Sequence, residues 1–231
     1  MTDIKLSVCQ PLYGTVPPMA HISQVAAFAR AVSVGVSMEF RYTLGSYIDL
    51  GRNELIARTL SESPDCTHLL FVDQDMVIPA DAITRLIDRD LPVVGACYFT
   101  KDPPHFPVAL VWDEDENSHF LDSWTDDLTP VGSLGMGLTL ITTSLLRDMQ
   151  TKYADADGDR PGWFVINGER RPMGEDTHFG LRCHRMSVPH YLDTTILCGH
   201  EGTAVITHDH YTAWRARAET ERPDNGSTVC A

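Results

Sequence analysis

The sequence predicts an open α/β sheet, on three observations. Leu69–Val72 and Val93–Phe99 are continuous apolar runs, the pattern of strands buried on both faces of a parallel sheet. Segments at helical spacing alternate with the strand-like ones. The chain's 231 residues, 43% of them hydrophobic, can bury a substantial core and a ligand cleft.

The elements follow in order. Ile4 to Val8 reads as the first strand, and Pro17-Pro18 precedes a helix with Ile22, Val25, Ala26 and Ala29 on one face. Val34, Val36, Met38, Phe40, Tyr42 and Leu44 alternate strictly, which is strand spacing. A helix from about Arg52 to Leu60 gathers Leu55, Ile56 and Leu60. After the 69–72 strand, Ile83, Leu86 and Ile87 mark a third helix, and 93–99 is the next strand. The order then changes. Val108 to Trp112, an acidic turn at 113–117 and His119 to Trp124 predict a hairpin. The glycine-rich stretch Val131 to Gly137 leads into a strand, Leu138 to Thr142, and a helix from Ser144 to about Lys152. Polar residues 153–160 read as a mobile loop. His178 to Met186 reads as helix and Val188 to Asp193 as strand.

Composition narrows the function classes. The net charge of −14 argues against broad nucleic-acid binding, which needs clustered Lys and Arg. An acidic protein still binds an anionic ligand when a divalent cation bridges the two. No apolar run reaches the ~18–20 residues that span a bilayer. The segment from Met1 to Val8 reads as strand, not as a secretory signal, so a cytoplasmic protein is expected. Cysteines 9, 66, 97, 183, 198 and 230 include no Cys-x-x-Cys pair and are expected to be reduced.

Three motifs carry candidate chemistry. Asp73 and Asp75 stand at i, i+2 where a buried strand ends, side by side in extended chain at roughly 7 Å. Open parallel sheets bind ligands at that edge, and two carboxylates there call for a hard cation. The plainer reading makes one of them a helix cap or turn residue. Glu175-Asp176 opens a helix, where a carboxylate is a cap or a rigidly held base. His200, between small residues near a strand end, is an accessible imidazole or a structural one. His208 and His210, with Cys183 and Cys198, fit no strong zinc spacing, and the two histidines read as surface residues or as supports behind a ligand.

Together these residues resemble glycosyltransferases of the GT-A fold, close to the family 2 group, from about Ile4 to Thr207. Four features match in order. Gly51-Arg-Asn53 opens a helix, Asp73-Gln-Asp75 matches the DxD motif, and the 131–137 glycine-rich segment enters a strand. Pro161-Gly-Trp-Phe164, Glu175-Asp176 and Gly199-His200 match the family's closing WF…ED…H series.

The resemblance implies a mainly parallel open sheet flanked by helices, with a Rossmann-like nucleotide-binding half and a smaller mixed-sheet acceptor half. One domain is expected over 1–217, its halves 1–100 and 101–217, with a flexible tail at 218–231. It implies a nucleotide-diphosphate sugar donor, UDP-linked by expectation, and Mn²⁺ or Mg²⁺ held by Asp73, Asp75 and His200. Pro11, Leu12, Tyr13, Arg52, Asn53 and Gln74 are assigned to the nucleotide, and Gly135 and Gly137 to close backbone approach to the donor. Asp176 is the candidate base of an inverting transfer, and Glu175 orients sugar or acceptor. Trp163, Phe164, Arg170 and Arg171 are assigned to the acceptor, a hydroxyl compound that includes glycans and hydroxymethylated phage DNA among the open choices. The alternatives are a metal-dependent nucleotidyltransferase or hydrolase, and a non-catalytic nucleotide-sugar-binding module. A nucleotidyltransferase usually carries a glycine-rich basic segment after the first strand. The segment Gln10 to Pro18 has one glycine and no Lys or Arg.

Overall fold

The computed structural model describes residues 4–114, 116–157, 162–166 and 173–220. Arg170, Arg171, Pro161 and the segment 221–231 lie outside the described residues, as does most of the expected tail.

The strands are β1 (Lys5–Leu12), β2 (Ser37–Leu44), β3 (His68–Val72), β4 (Met76–Val77), β5 (Val93–Cys97), β6 (Ala109–Trp112), β7 (Ser118–Phe120), β8 (Leu128–Val131), β9 (Ser133–Leu134), β10 (Leu138–Thr142), β11 (His190–Leu197), β12 (Gly199–Glu201) and β13 (Val205–Ile206). The helices are α1 (Pro18–Ser33), α2 (Ile48–Glu62), α3 (Ala82–Asp88), α4 (Thr143–Asp157), α5 (Glu175–Arg185) and α6 (His208–Thr220).

Seven strands form one sheet in the order β2-β1-β3-β10-β5-β11-β8. β1 runs parallel to β2 and β3, β5 runs parallel to β11, and β10 enters antiparallel between β3 and β5. Two three-stranded antiparallel sheets, β13-β12-β4 and β7-β6-β9, flank it. The α/β class expected from the sequence is what folds, as a mixed, mainly parallel sheet.

The continuous apolar runs fill both faces of the sheet, as strand alternation requires. Leu69 and Phe71 of β3 join Leu55 and Ile56 of α2, Leu146 and Met149 of α4, and Phe179 of α5. Leu70 and Val72 join Ala27 and Ala31 of α1 and Ile83 and Leu86 of α3. The strand order reverses between β1 and β3, so the crevice at their carboxyl ends is the natural ligand position.

Several boundaries differ from the sequence expectation for local reasons. α1 continues to Ser33 and Gly35 turns the chain at φ +98°, so β2 begins at Ser37 rather than Val34. α2 begins at Ile48, which places Arg52 inside the helix rather than at its opening. α4 runs to Asp157, so much of the segment read as a loop is helical. α6 has no apolar periodicity to announce it. Tyr211 and Trp214 hold it in an aromatic cluster, with Tyr211 stacked on Phe99 at 5.0 Å and Trp214 edge-on to Phe106 at 5.4 Å.

Candidate active site

The end of β3 turns sharply at residues 73–76. Met76 N–H donates to the Asp73 carbonyl at 3.2 Å, and the buried Gln24 of α1 donates from Nε2 to the carbonyls of Asp73 (3.0 Å) and Met76 (2.9 Å). Asp73 N–H donates to the Gly137 carbonyl at 2.9 Å. The turn sends the two aspartates to different partners, so the flat i, i+2 picture does not hold.

Asp73 meets Arg52. Both carboxylate oxygens accept from the guanidinium Nη2, at 3.0 and 3.1 Å. Arg52 Nη1 pairs with Glu175 Oε1. Its side chain is 4% exposed, and the guanidinium carbon lies 5.8 Å from the ring centres of both Phe71 and Phe164. Burial pushes the Glu175 carboxyl up, Arg52 pulls it back in part, and Asp176 pushes it further up. Arg52 is thus a buried tie between the tip of β3 and the first turn of α5, not a free nucleotide contact. This geometry also separates Asp73 from a shared metal cluster. No group of three or more His, Cys, Asp or Glu stands poised around one ion among the described residues.

Asp75 meets His200. The short sheet β4–β12 pairs Met76 with His200 and brings the imidazole Nε2 to 3.6 Å from Asp75 Oδ2. His200 Nδ1 lies 3.0 Å from the Phe99 carbonyl, which can only accept, so Nδ1 carries a proton and Nε2 is the ring nitrogen turned toward Asp75. Lys101 Nζ sits 2.5 Å from the same Oδ2. Burial alone would raise the Asp75 carboxyl, but His200 and Lys101 outweigh it and hold it down at about 2. The neighbouring Glu201 N–H donates to the Asp75 carbonyl at 2.8 Å, and its carboxylate Oε2 accepts the Ala20 N–H of the first turn of α1 at 2.7 Å.

Asp176 lies in the first turn of α5, whose N-cap is Gly174 without a side-chain cap bond. Its Oδ1 accepts the Thr177 N–H at 2.7 Å and the Thr177 hydroxyl at 3.3 Å, which leaves Oδ2 without a hydrogen-bond partner among the described residues. Gly180 sets the height of the helix over β9. A Cβ there would fall 2.5 Å from Ser133 Cβ and 2.8 Å from the Gly132 carbonyl, and Ser133 Oγ donates to the Asp176 carbonyl at 2.9 Å.

The other expected site residues divide. Tyr13 is exposed beyond β1 and lines a 370 Å³ cleft with Gly45, Ser46, Tyr47 and Ile48. Pro11 is buried within β1 beside Thr43, and Leu12 is half-buried at its end. Gln74 ties the loop after β1 to the β3 turn, its Oε1 accepting the Tyr13 N–H at 2.6 Å. Asn53 is corrected. Its amide clamps the Phe164 backbone in both directions, at 2.7 and 2.9 Å, and so anchors the core. Trp163 and Phe164 are also corrected, from acceptor platform to core. They are 2% and 1% exposed, Trp163 Nε1–H donates to the Leu146 carbonyl at 2.9 Å, and Phe164 stacks on Phe179 at 4.9 Å. Gly135 and Gly137 leave room for Tyr98. A Cβ at Gly135 would meet its hydroxyl at 2.1 Å, and Gly137 N–H donates to that hydroxyl at 3.0 Å.

Sequence reasoning passed over Lys101, Gln24, Tyr47 and Tyr98. Gln24 alone left a signal, a polar residue on the face of α1 that buries Ala20, Ala27 and Ala31. Five cysteines are free and buried, and burial pushes the Cys9 and Cys97 thiols up to about 12. His208 packs against Phe99, and His210 Nδ1 takes the Thr207 N–H at 3.1 Å at the start of α6.

No family model matches the chain, and no curated protein matches it in sequence. Solved structures match its shape. A197 from STIV overlaps 90% of this chain and 92% of its own at TM-score 0.54 and 15% identity, a likeness of fold. Looser overlaps occur with Drosophila β1,4-galactosyltransferase 7 bound to manganese, UDP-Gal and xylobiose (12% identity, 97% of this chain and 82% of that, TM-score 0.48) and with 4-diphosphocytidyl-2C-methyl-D-erythritol synthase from Anaerococcus prevotii (12%, 94% and 97%, 0.45). No helix among the described residues is long and apolar enough to cross a membrane.

Proposed function

We propose that the chain is a metal-dependent glycosyltransferase that moves a sugar from a nucleotide-diphosphate donor to a hydroxyl acceptor. The observation that carries this reading is the corner where the Asp75 carboxylate, held ionised, faces Nε2 of His200 at the carboxyl edge of β3.

That pair suits Mn²⁺ or Mg²⁺. Adjacent ligands at ~2.1 Å from an octahedral ion stand about 3.0 Å apart, and from 3.6 Å a small side-chain movement would bring the two atoms to that separation. One carboxylate and one imidazole complete such a site with water and the donor's own phosphate oxygens. A bound cation would neutralise charge on the departing diphosphate. His200 would hold it through Nε2 and Asp75 through Oδ2, with Asp73 left to Arg52.

The cleft beside β1 and α2 fits the nucleobase. Tyr13 and Tyr47, 47% and 77% exposed, both line it and offer aromatic faces to a base. Asp176 has the chemistry of a base, with one oxygen fixed by Thr177 and the other open to receive the acceptor's proton as the anomeric carbon becomes cationic. Glu175, tied to Arg52 through Oε1, would receive sugar or acceptor hydroxyls at its other oxygen. Attack assisted from α5 while the diphosphate leaves along the β3 edge supports inversion.

The test combines titration and turnover. Asp75→Asn is expected to weaken Mn²⁺-supported UDP binding at least tenfold and to abolish release of UDP from UDP-sugars. Asp176→Asn is expected to keep nucleotide binding and lose transfer. Unchanged UDP affinity in Asp75→Asn refutes the metal assignment, and release of pyrophosphate instead of a nucleoside diphosphate identifies a nucleotidyltransferase.

A further inference from the structure

Lys101 stands at this corner and the metal-and-donor scheme leaves it without a role. Its ammonium lies 2.5 Å from Asp75 Oδ2, the oxygen that also faces His200. Two cationic side chains pair with Asp73, Asp75 and Glu175 among the described residues, and they are built differently. Arg52 is 4% exposed and fixed on two acids at once. Lys101 is 39% exposed and holds one acid from the rim.

Its loop is arranged to present it. Beyond β5, Thr100 N–H donates to the Phe106 carbonyl at 2.9 Å, the Thr100 hydroxyl donates to the Asp102 carbonyl at 3.1 Å, and His105 Nδ1 lies 2.9 Å from the Thr100 carbonyl. The loop base is therefore fixed while the lysine stem is not. Its methylenes pass Gly202 in the β12–β13 turn, where a Cβ would come within 3.4 Å of Cδ. No side chain at that position restrains the stem.

Resting on the reading of Asp75 and His200 as cation ligands, we infer that Lys101 is a built-in counter-cation that the metal displaces and that then binds the donor's diphosphate. In the free protein the ammonium pairs with Asp75 and compensates a partly buried anion at the corner. A divalent ion on Oδ2 cannot share that oxygen's face with an ammonium at contact distance. The flexible stem lets the ammonium move away, and the diphosphate brought in by the ion supplies anionic oxygens beside it. Lys101 thus competes with free metal and cooperates with metal plus nucleotide. The exchange makes metal binding weak alone and strong with donor, with no rearrangement between the two halves of the chain.

The test is calorimetric titration of Mn²⁺ alone, and of UDP at saturating Mn²⁺, into the wild type, Lys101→Met, Lys101→Ala and Asp75→Asn. Methionine keeps the stem against Gly202 and removes only the charge. Both lysine variants are expected to bind free Mn²⁺ about tenfold more tightly and UDP about tenfold more weakly, because each state is deprived of one charge-assisted hydrogen bond. If both lysine variants bind Mn²⁺ and UDP like the wild type while Asp75→Asn loses Mn²⁺, Lys101 is a surface ion pair and the inference is wrong. If Asp75→Asn binds Mn²⁺ normally, the metal corner itself is misassigned and the inference falls with it. Weaker Mn²⁺ binding in the lysine variants also overturns the competition.

Discussion

Replacing Arg52 by Met tests whether the buried tie between β3 and α5 holds the site together. Methionine retains most of the apolar packing against Phe71 and Phe164 and removes the bonds to Asp73 and Glu175. Glu175 is then left 14% exposed and Asp73 28% exposed with no cation beside them. Breaking a buried pair from one side costs about 3–5 kcal/mol, and water reaching Asp73 favours the lower end, about 3 kcal/mol. For a domain of this size that lowers Tm by about 6–12 °C. The pH dependence identifies the cause. Burial already raises the Glu175 carboxyl in the folded protein, so its charge opposes folding above the unfolded value of about 4.3. Without Arg52 that opposition grows, and it is relieved as acid protonates the group. Urea unfolding followed by tryptophan fluorescence should therefore show a deficit at about pH 7.5 that shrinks toward about pH 5. A variant as stable as wild type at neutral pH, or a deficit independent of pH, refutes the reasoning.

Three further variants test the packing roles of residues first assigned to ligands. Trp163→Ala should cost about 3–5 kcal/mol of stability through the cavity it leaves, with UDP affinity unchanged in the folded fraction, as core and not acceptor residue; Asn53→Ala should behave alike at about 1–3 kcal/mol. Gly135→Ala should destabilise by about 1–3 kcal/mol because its Cβ meets the Tyr98 hydroxyl, and adding Tyr98→Phe should recover part of the loss, leaving the double variant above the sum of the singles in a denaturation cycle.

β3 and β5 were legible because burial writes itself into a short window; α1 was legible as a helix but not by its buried face, since Ile22, Val25, Ala26 and Ala29 lie exposed while Ala20, Gln24, Ala27 and Ala31 are buried. Leu69 to Val72 is apolar at every step because both faces of β3 are covered, whereas the alternation in β2 marks the strand but not its buried face, since Phe40, Tyr42 and Leu44 lie exposed and Arg41 and Thr43 are buried. α6 was not legible, since Tyr211 and Trp214 stand among polar residues and leave no period to detect. Motif positions were legible at the level of which segments meet. Asp75 and His200, 125 positions apart, do come together through β4 and β12. What each side chain does there was not legible. Asn53 and Trp163 carry residue types that suit ligands and core equally, and only their partners decide. Lys101 left no trace, because a lone lysine before an Asp-Pro-Pro turn looks like ordinary surface charge.

The position of β10 governs how the chain is made. It is the middle strand of seven, yet it follows β3 by some sixty-five residues, filling the gap that β3 and β5 leave between them. A fragment ending at residue 100 would present β3 with a bare edge and β5 with no neighbour at all. During translation at about 5–20 residues per second the sheet stays open for several seconds between the emergence of Val72 and that of Thr142. Cutting the gene at the boundary between its two halves should therefore yield an aggregating amino-terminal piece, one that becomes soluble only when the remainder is supplied alongside it.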